Sequence, residues 1–270
     1  LPPTLSRPTS QCPTFSQLHS EEFHRWIGRI KHPHIQHRKL WEWVYILQAL
    51  ESSGAIRPGA RGLGFGVGKE RIVSYLAKQG CKLMATDAPP DIADAAGWTQ
   101  NNQYAEQKDD MNFPEICSQE EFEKNVDFRV MDMRKIDSDL TEYDFIWSSC
   151  AFEHLGSLQA GIDFVCESLR CLKPGGVAVH TTEFNLSSLN ETVESGHTVI
   201  YRKKDIEALG AAVADLGCQL SAPNWYIGDD REDFVITPSG EKDDGRGVCL
   251  KINLEGVAIT SFGIIITKLQ

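Results

Sequence analysis

Glycine occupies every second position of Gly62-Leu63-Gly64-Phe65-Gly66-Val67-Gly68. Glycines let a chain turn tightly and let a ligand touch the main chain, and the amides at the start of a following helix favour anionic or polar groups. A dinucleotide loop has the spacing G-x-G-x-x-G. Here the spacing from Gly64 is G-x-G-x-G, and Lys69-Glu70 follows where a nucleoside triphosphate loop carries Lys-Ser/Thr. Taken alone, the segment is a ligand loop or merely a tight strand-to-helix turn. Asp87 stands about twenty residues further on, where a carboxylate accepts hydrogen bonds from the two hydroxyls of a ribose. After the next apolar run, Asp132 can take an adenine amino proton while Met133 packs on the base. A fourth run ends at Ser149-Cys150 and is followed by Glu153 and His154. A neutral imidazole at this place can act as general base toward an alcohol, although a structural helix-start role competes for His154. Glu153 can orient the backbone or a ligand ammonium.

Glu183 and Asn185 follow a fifth run, on the expected substrate side. They can bind acceptor hydroxyls or, with Glu153, a divalent cation. Their spacing does not mark a cation site, and no metal is expected. His32, His34 and His37 form H-x-H-x-x-H, but Pro33 interrupts any helix that would align them and no cysteine lies near, so zinc is disfavoured. His37 and Arg38 are expected to face substrate or a donor carboxylate. Trp98 either packs near the ligand or belongs to the core.

The elements that must position these residues follow from periodicity. Phe23, Trp26, Ile27 and Ile30, then Leu40, Trp43, Val44, Leu47 and Leu50, recur at helical spacing. From Arg61 onward short apolar runs alternate with amphipathic stretches. Strands are expected at 61–65, 82–86, 126–131, 144–148, 177–182 and 257–267. Helices are expected at 69–78, 91–104, 115–124, 158–172 and 203–216. Nearly continuous apolar strands between helices describe a parallel sheet covered on both faces, an α/β doubly wound fold whose ligands sit beyond the carboxyl ends of its strands. Residues 1–20, rich in Pro, Ser and Thr, read as a flexible tail, 21–55 as a helical lid and 56–270 as the catalytic domain. Residues 218–256 read as a long excursion before the last strand.

The 270 residues are 41% hydrophobic and 24% charged, which excludes collagen-like, coiled-coil and wholly disordered chains. The formal charge of −11 disfavours a nucleic-acid partner, and there is no basic stripe and no Asn/Asp-Pro-Pro-aromatic segment after the fourth strand. No apolar run reaches the roughly 18 residues that span a bilayer. The eight cysteines are scattered with no C-x-x-C pair, which reads as reduced thiols in a cytoplasmic protein.

In this order, the segments GLGFGVG, ATD, VMDM, YDFIWSSCAFEHLGSL and CLKPGGVAVHTTEF resemble the class I S-adenosylmethionine-dependent methyltransferases, over roughly residues 60–216 and the closing strand. The resemblance implies a Rossmann-like, seven-stranded, mostly parallel sheet with a reversed last strand. It implies S-adenosylmethionine held by Gly64, Phe65, Gly66, Gly68, Asp87, Asp132, Met133 and Ser149. The FEHL and LKPGG segments look like the branch that methylates small molecules. That branch suggests O-methylation of a sugar or natural-product hydroxyl, with His154 as base and Glu153, Glu183, Asn185, His37 and Arg38 around the acceptor. One departure stands out: many family members carry an acid where this chain has Gly62. The usual partner of the methionine amino group is then missing, and Glu70 is the nearest acid beyond the loop. A nicotinamide-dependent oxidoreductase is a second reading, against which stand the loop spacing and the missing Tyr-Lys pattern. A non-catalytic binding module on the same scaffold is a third.

Overall fold

The structure, a computed structural model of the chain, describes residues 1–95, 104–238 and 247–269. Three helices come first: α1 (Phe15–Leu18), α2 (Glu21–Arg29) and α3 (Arg38–Ser52). The alternating part then runs β1 (Arg61–Phe65), α4 (Arg71–Lys78), β2 (Lys82–Asp87), α5 (Pro90–Ala95), α6 (Gln119–Asn125), β3 (Val126–Val130), β4 (Tyr143–Ser149), α7 (Leu158–Ser168), β5 (Leu172–Asn185) and α8 (Lys203–Asp215). Four further strands close the chain: β6 (Cys218–Leu220), β7 (Ile236–Pro238), β8 (Lys251–Leu254) and β9 (Val257–Lys268). The helix expected over 91–104 is described only as α5, and Trp98 lies outside the described residues.

All nine strands form one sheet, in the order β3-β2-β1-β4-β5-β9-β8-β7, with β6 also on β9. The first five are parallel, and β9 runs antiparallel to β5, β6 and β8. The reversed last strand is therefore present. The expected excursion is partly strand: β6, β7 and β8 add to the sheet around β9. Period-two alternation divides the core. Phe145, Trp147, Val177 and Val179 pack with α2, α3 and α4 on one face. Ile146, Ala178, Ile264 and Ile266 pack with α7 and α8 on the other.

One expectation for the N-terminal region needs correction. Residues 1–20 are not a loose tail. Leu5 and Cys12 are fully buried, and Gln11 exchanges both backbone hydrogen bonds with Gly263 at 3.0 and 2.7 Å. That pairing fills the edge of β9 between its contacts with β8 and β6. An open stretch of strand edge leaves N–H and C=O groups needing partners, and a polar, Pro-containing segment supplies them as well as a regular strand does. Helix α3, within the expected lid, borders the sheet's core and the cavity alike. Eleven of its residues, from Arg38 to Leu50, are buried, because the helix lies on the sheet with apolar side chains on most of its circumference.

Deleting residues 1–13 should lower the unfolding free energy by roughly 2–6 kcal/mol, from the burial of Leu5 and two backbone hydrogen bonds. Denaturant melts of the full and shortened chains measure it; coincident midpoints would make the segment a tail after all.

Candidate active site

A cavity of about 380 Å³ opens beyond the carboxyl ends of β1, β2 and β4. Its floor is the glycine loop. Gly66 and Gly68 adopt φ of 57° and 51°, a region that disfavours residues with a Cβ. At Gly66 a Cβ would come within 3.0 Å of Ala151 and 3.3 Å of Met133 Sδ, so glycine keeps this stretch of main chain open to a ligand. Gly64 and Phe65 stand beneath the floor and do not line the cavity. Gly64 makes room for Val67 and Trp147, and Phe65 packs edge-on against Phe164.

Asp87, at the end of β2, fastens the loop. Its Oδ2 accepts the amides of Gly68 (3.1 Å) and Ala105 (3.0 Å), and its Oδ1 that of Ala88 (2.8 Å). Burial outweighs these hydrogen bonds and pushes the carboxyl up to about 6. Asp132 and Met133 form another wall. The Asp132 carboxylate is chelated by Arg134 at 2.7–3.1 Å, and that pairing holds it below the usual carboxylate range. Its expected role toward an adenine amino group therefore competes with Arg134, whereas Met133 presents its thioether unobstructed by any ion pair.

The wall opposite comes from α3 and the turn after β4. Lys39 and Trp43, one helical turn apart, line the cavity with Glu70, Ser149, Cys150 and His154. Cys150 takes φ of 43°, an uncommon conformation for a non-glycine residue that turns the chain sharply out of the sheet. His154 Nδ1 lies 3.0 Å from the His197 carbonyl, which assigns that nitrogen as the donor and leaves the basic lone pair on Nε2. Burial lowers this imidazole to about 4, so it is neutral throughout the physiological range.

Behind that wall lies a buried ionic network. Arg38 grips Glu183 with two bonds, Nη1–Oε2 at 2.9 Å and Nη2–Oε1 at 2.7 Å. Glu42, fully buried, accepts from Ser149 (3.2 Å), Cys150 (3.2 Å), Thr181 (3.4 Å) and Ser261, with Arg38 and Lys39 each at 3.5 Å. Burial alone would raise Glu42; Lys39, Arg38 and these donors carry it below its ordinary value. Glu153, also fully buried, accepts from Thr182 at 3.3 Å, and burial with the charge of Glu183 pushes it up to about 8.

Several residues expected around an acceptor are therefore committed elsewhere. Arg38 and Glu183 satisfy one another. Asn185 donates to Glu191 O and Thr192 Oγ1 and accepts the amides of Ser187 and Ser188, which makes it the clamp of a loop. His37 caps α3 by accepting the Lys39 amide at 3.0 Å. None of these four, nor Glu153, lines the cavity. Lys39, next to the expected Arg38, does. The signal was available: Lys39 and Trp43 share a face at i, i+4, whereas Arg38 points with Glu42 into the protein.

Cys150, Glu153 and Glu183 bring ligand atoms within 4.8 Å of one another. They do not suit a cation, because the Arg38 guanidinium already occupies both Glu183 oxygens. The histidines of H-x-H-x-x-H diverge. His32 packs edge-on against Trp43, His34 against Phe23 and His24, and His37 caps its helix.

All eight cysteines are free thiols, and no helix among the described residues is long and apolar enough to cross a membrane. A methyltransferase-domain family matches residues 63–180, from the glycine loop to the middle of β5. No curated protein matches the chain in sequence. Among solved structures, a protein described as a sarcosine dimethylglycine methyltransferase from Galdieria sulphuraria is similar in fold. It has a TM-score of 0.51 at 17% identity, over 86% of this chain and 84% of that one. YcgJ from Bacillus subtilis follows at 0.49 and 14%, over 85% and 99% of the two chains. A TehB-like S-adenosylmethionine-dependent methyltransferase from Corynebacterium glutamicum gives 0.43 and 17%, over 93% and 98%.

Replacing Arg38 by Met strands Glu183 in the interior and should cost about 3–5 kcal/mol of stability in denaturant titrations. A variant that melts like the parent but binds an acceptor poorly would instead return Arg38 to substrate recognition.

Proposed function

We propose that the chain is a class I S-adenosylmethionine-dependent methyltransferase and that it methylates a hydroxyl of a small polar acceptor, such as a sugar or a natural-product scaffold; the methyltransferase-domain match over residues 63–180 supports the first part. The observation that carries this reading is the cavity around which the glycine loop, Asp87 and Met133 meet a neutral imidazole, His154.

S-adenosylmethionine supplies an electrophilic methyl on a sulfonium; the protein has to hold it in line with a nucleophile and keep water out. In this reading the main chain exposed at Gly66 and Gly68 and the remaining lone pair of Asp87 Oδ1 meet the nucleoside, and Met133 packs on its base. Lys39 is the cation within reach of the amino-acid carboxylate. His154 receives the acceptor's hydroxyl proton on Nε2 as the new C–O bond forms and the C–S bond breaks. Its tautomer is held by the His197 carbonyl, which supports that role. An imidazole lowered to about 4 is a weak base that is always ready rather than a strong one available part of the time. The hydrophobic side of the wall, Leu155 and Trp43, excludes water from the reacting atoms.

Three outcomes are expected. Asp87→Ala should weaken S-adenosylhomocysteine binding by about tenfold or more in isothermal titration. In the parent protein the same affinity should fall as pH drops through about 6, because the ribose hydroxyls need the ionised carboxylate. His154→Ala should lower turnover by about 10²- to 10⁴-fold while leaving cofactor affinity near its parent value. A screen of candidate acceptors by mass spectrometry, scored for the gain of one methylene, identifies the substrate; unchanged turnover in the His154 variant would remove the base role.

A further inference from the structure

Glu70 is a carboxyl without a counterpart. It precedes α4, is 8% exposed, lines the cavity, and one of its oxygens, Oε2, is buried with no hydrogen-bond partner. Ser149 and Trp43 lie near enough to oppose the effect of its burial in part. Lys39, a nearby cation, is engaged with Glu42 at 3.5 Å and Glu183 at 3.9 Å. A buried acceptor with a vacant lone pair, on a residue that lines a cavity, is costly unless a ligand donates to it.

The strand position where an acid would otherwise stand is closed to one. A Cβ on Gly62 would overlap the Phe145 ring and come within 2.9 Å of Leu83. Phe145 belongs to the core on the α3 side of the sheet. An acid at the strand position is therefore ruled out, and Glu70, beyond the loop, is an acid that lines the cavity on the side of Lys39 and Trp43.

Resting on the cofactor reading above, we propose that Glu70 anchors the α-ammonium of S-adenosylmethionine and releases its own proton when the cofactor binds. In the empty cleft burial raises the carboxyl well above its ordinary value, against the smaller opposing effects of Ser149 and Lys39, and so favours its neutral form. The Ser149 hydroxyl donates to Glu42 at 3.2 Å and so does not supply Glu70 with a donor. An arriving ammonium supplies the missing charge. Glu70 ionises, its proton leaves to solvent, and an N–H of the ammonium donates to Oε2. The other titratable groups around Glu70 are Lys39 and Glu42 from α3, Lys69 beside it, Asp87 from β2, and Cys150 and His154 after β4. Asp87, at about 6, and His154, at about 4, have already lost their protons at about pH 7.5, so neither supplies the proton counted there.

The experiment compares two probes: S-adenosylhomocysteine, and 5′-methylthioadenosine, which keeps the nucleoside and lacks the amino acid. Glu70→Gln copies the neutral carboxyl in shape, so its melting temperature should match the parent's. In calorimetry at about pH 7.5, in buffers of different ionisation enthalpy, the parent should release close to one proton per S-adenosylhomocysteine bound, and the variant almost none. Affinity for that probe should fall about tenfold or more in Glu70→Gln, with 5′-methylthioadenosine unaffected, whereas Asp87→Ala should weaken both. Equal loss for both probes, no loss for either, or an unchanged proton count in the variant would overturn the assignment of Glu70 alone. A parent protein that binds neither probe would overturn the cofactor reading with it.

Discussion

One carboxylate, Asp87, holds three separate stretches of main chain. Its oxygens accept amides from the glycine loop, from its own successor and from Ala105, on the far side of the segment after α5. A glycine loop has little conformational preference of its own, since each of its residues is free in the unfolded chain. The shape of the cleft floor therefore depends on an external tie, and this tie ionises reluctantly because it is buried. In the proposed function the same atoms would serve ligand recognition as well as the fold.

The second constraint is the burial of α3. Its Arg38 and Glu42 turn inward to a network that joins the helix to β5 and β9, while Lys39 and Trp43 turn toward the cavity. One helix thus fixes the core and forms the wall of the site. Low dielectric makes each buried pair sensitive to the loss of either partner, so the wall is stiff. It also explains why acidic residues near the cleft do not behave alike. Glu183 and Glu42 are neutralised by cations, while Glu153 and Glu70 are raised by burial.

Much of the fold was legible from the order of apolar runs. The strands 61–65, 82–86, 144–148 and 257–267 recur with shifts of a residue or two, since an apolar run between turn residues has few other ways to bury itself. The N-terminal segment was not legible, because nothing local distinguishes a polar stretch that pairs with β9 from one that stays in solvent. Of the residues expected to form the site, Gly66, Gly68, Asp87, Asp132, Met133, Ser149 and His154 meet at one cavity. They share a simple property: each ends or follows a parallel strand. Arg38, Glu183 and Asn185 were misread because a polar residue in a sequence carries no mark of the partner that will satisfy it.

The sequence by itself determined the periodicities, and with them the doubly wound sheet, the glycine loop and the acids that follow each strand, because backbone geometry turns those local patterns into direction. Only the tertiary structure decided which charges are spent on one another and which face the cleft. Whether a carboxyl is paired, neutral or waiting for a ligand depends on groups far away in the chain, as Glu183 depends on Arg38 and as Glu70 depends on finding no such partner. Burial and distance, the two quantities that set those electrostatic outcomes, exist only once the chain has folded.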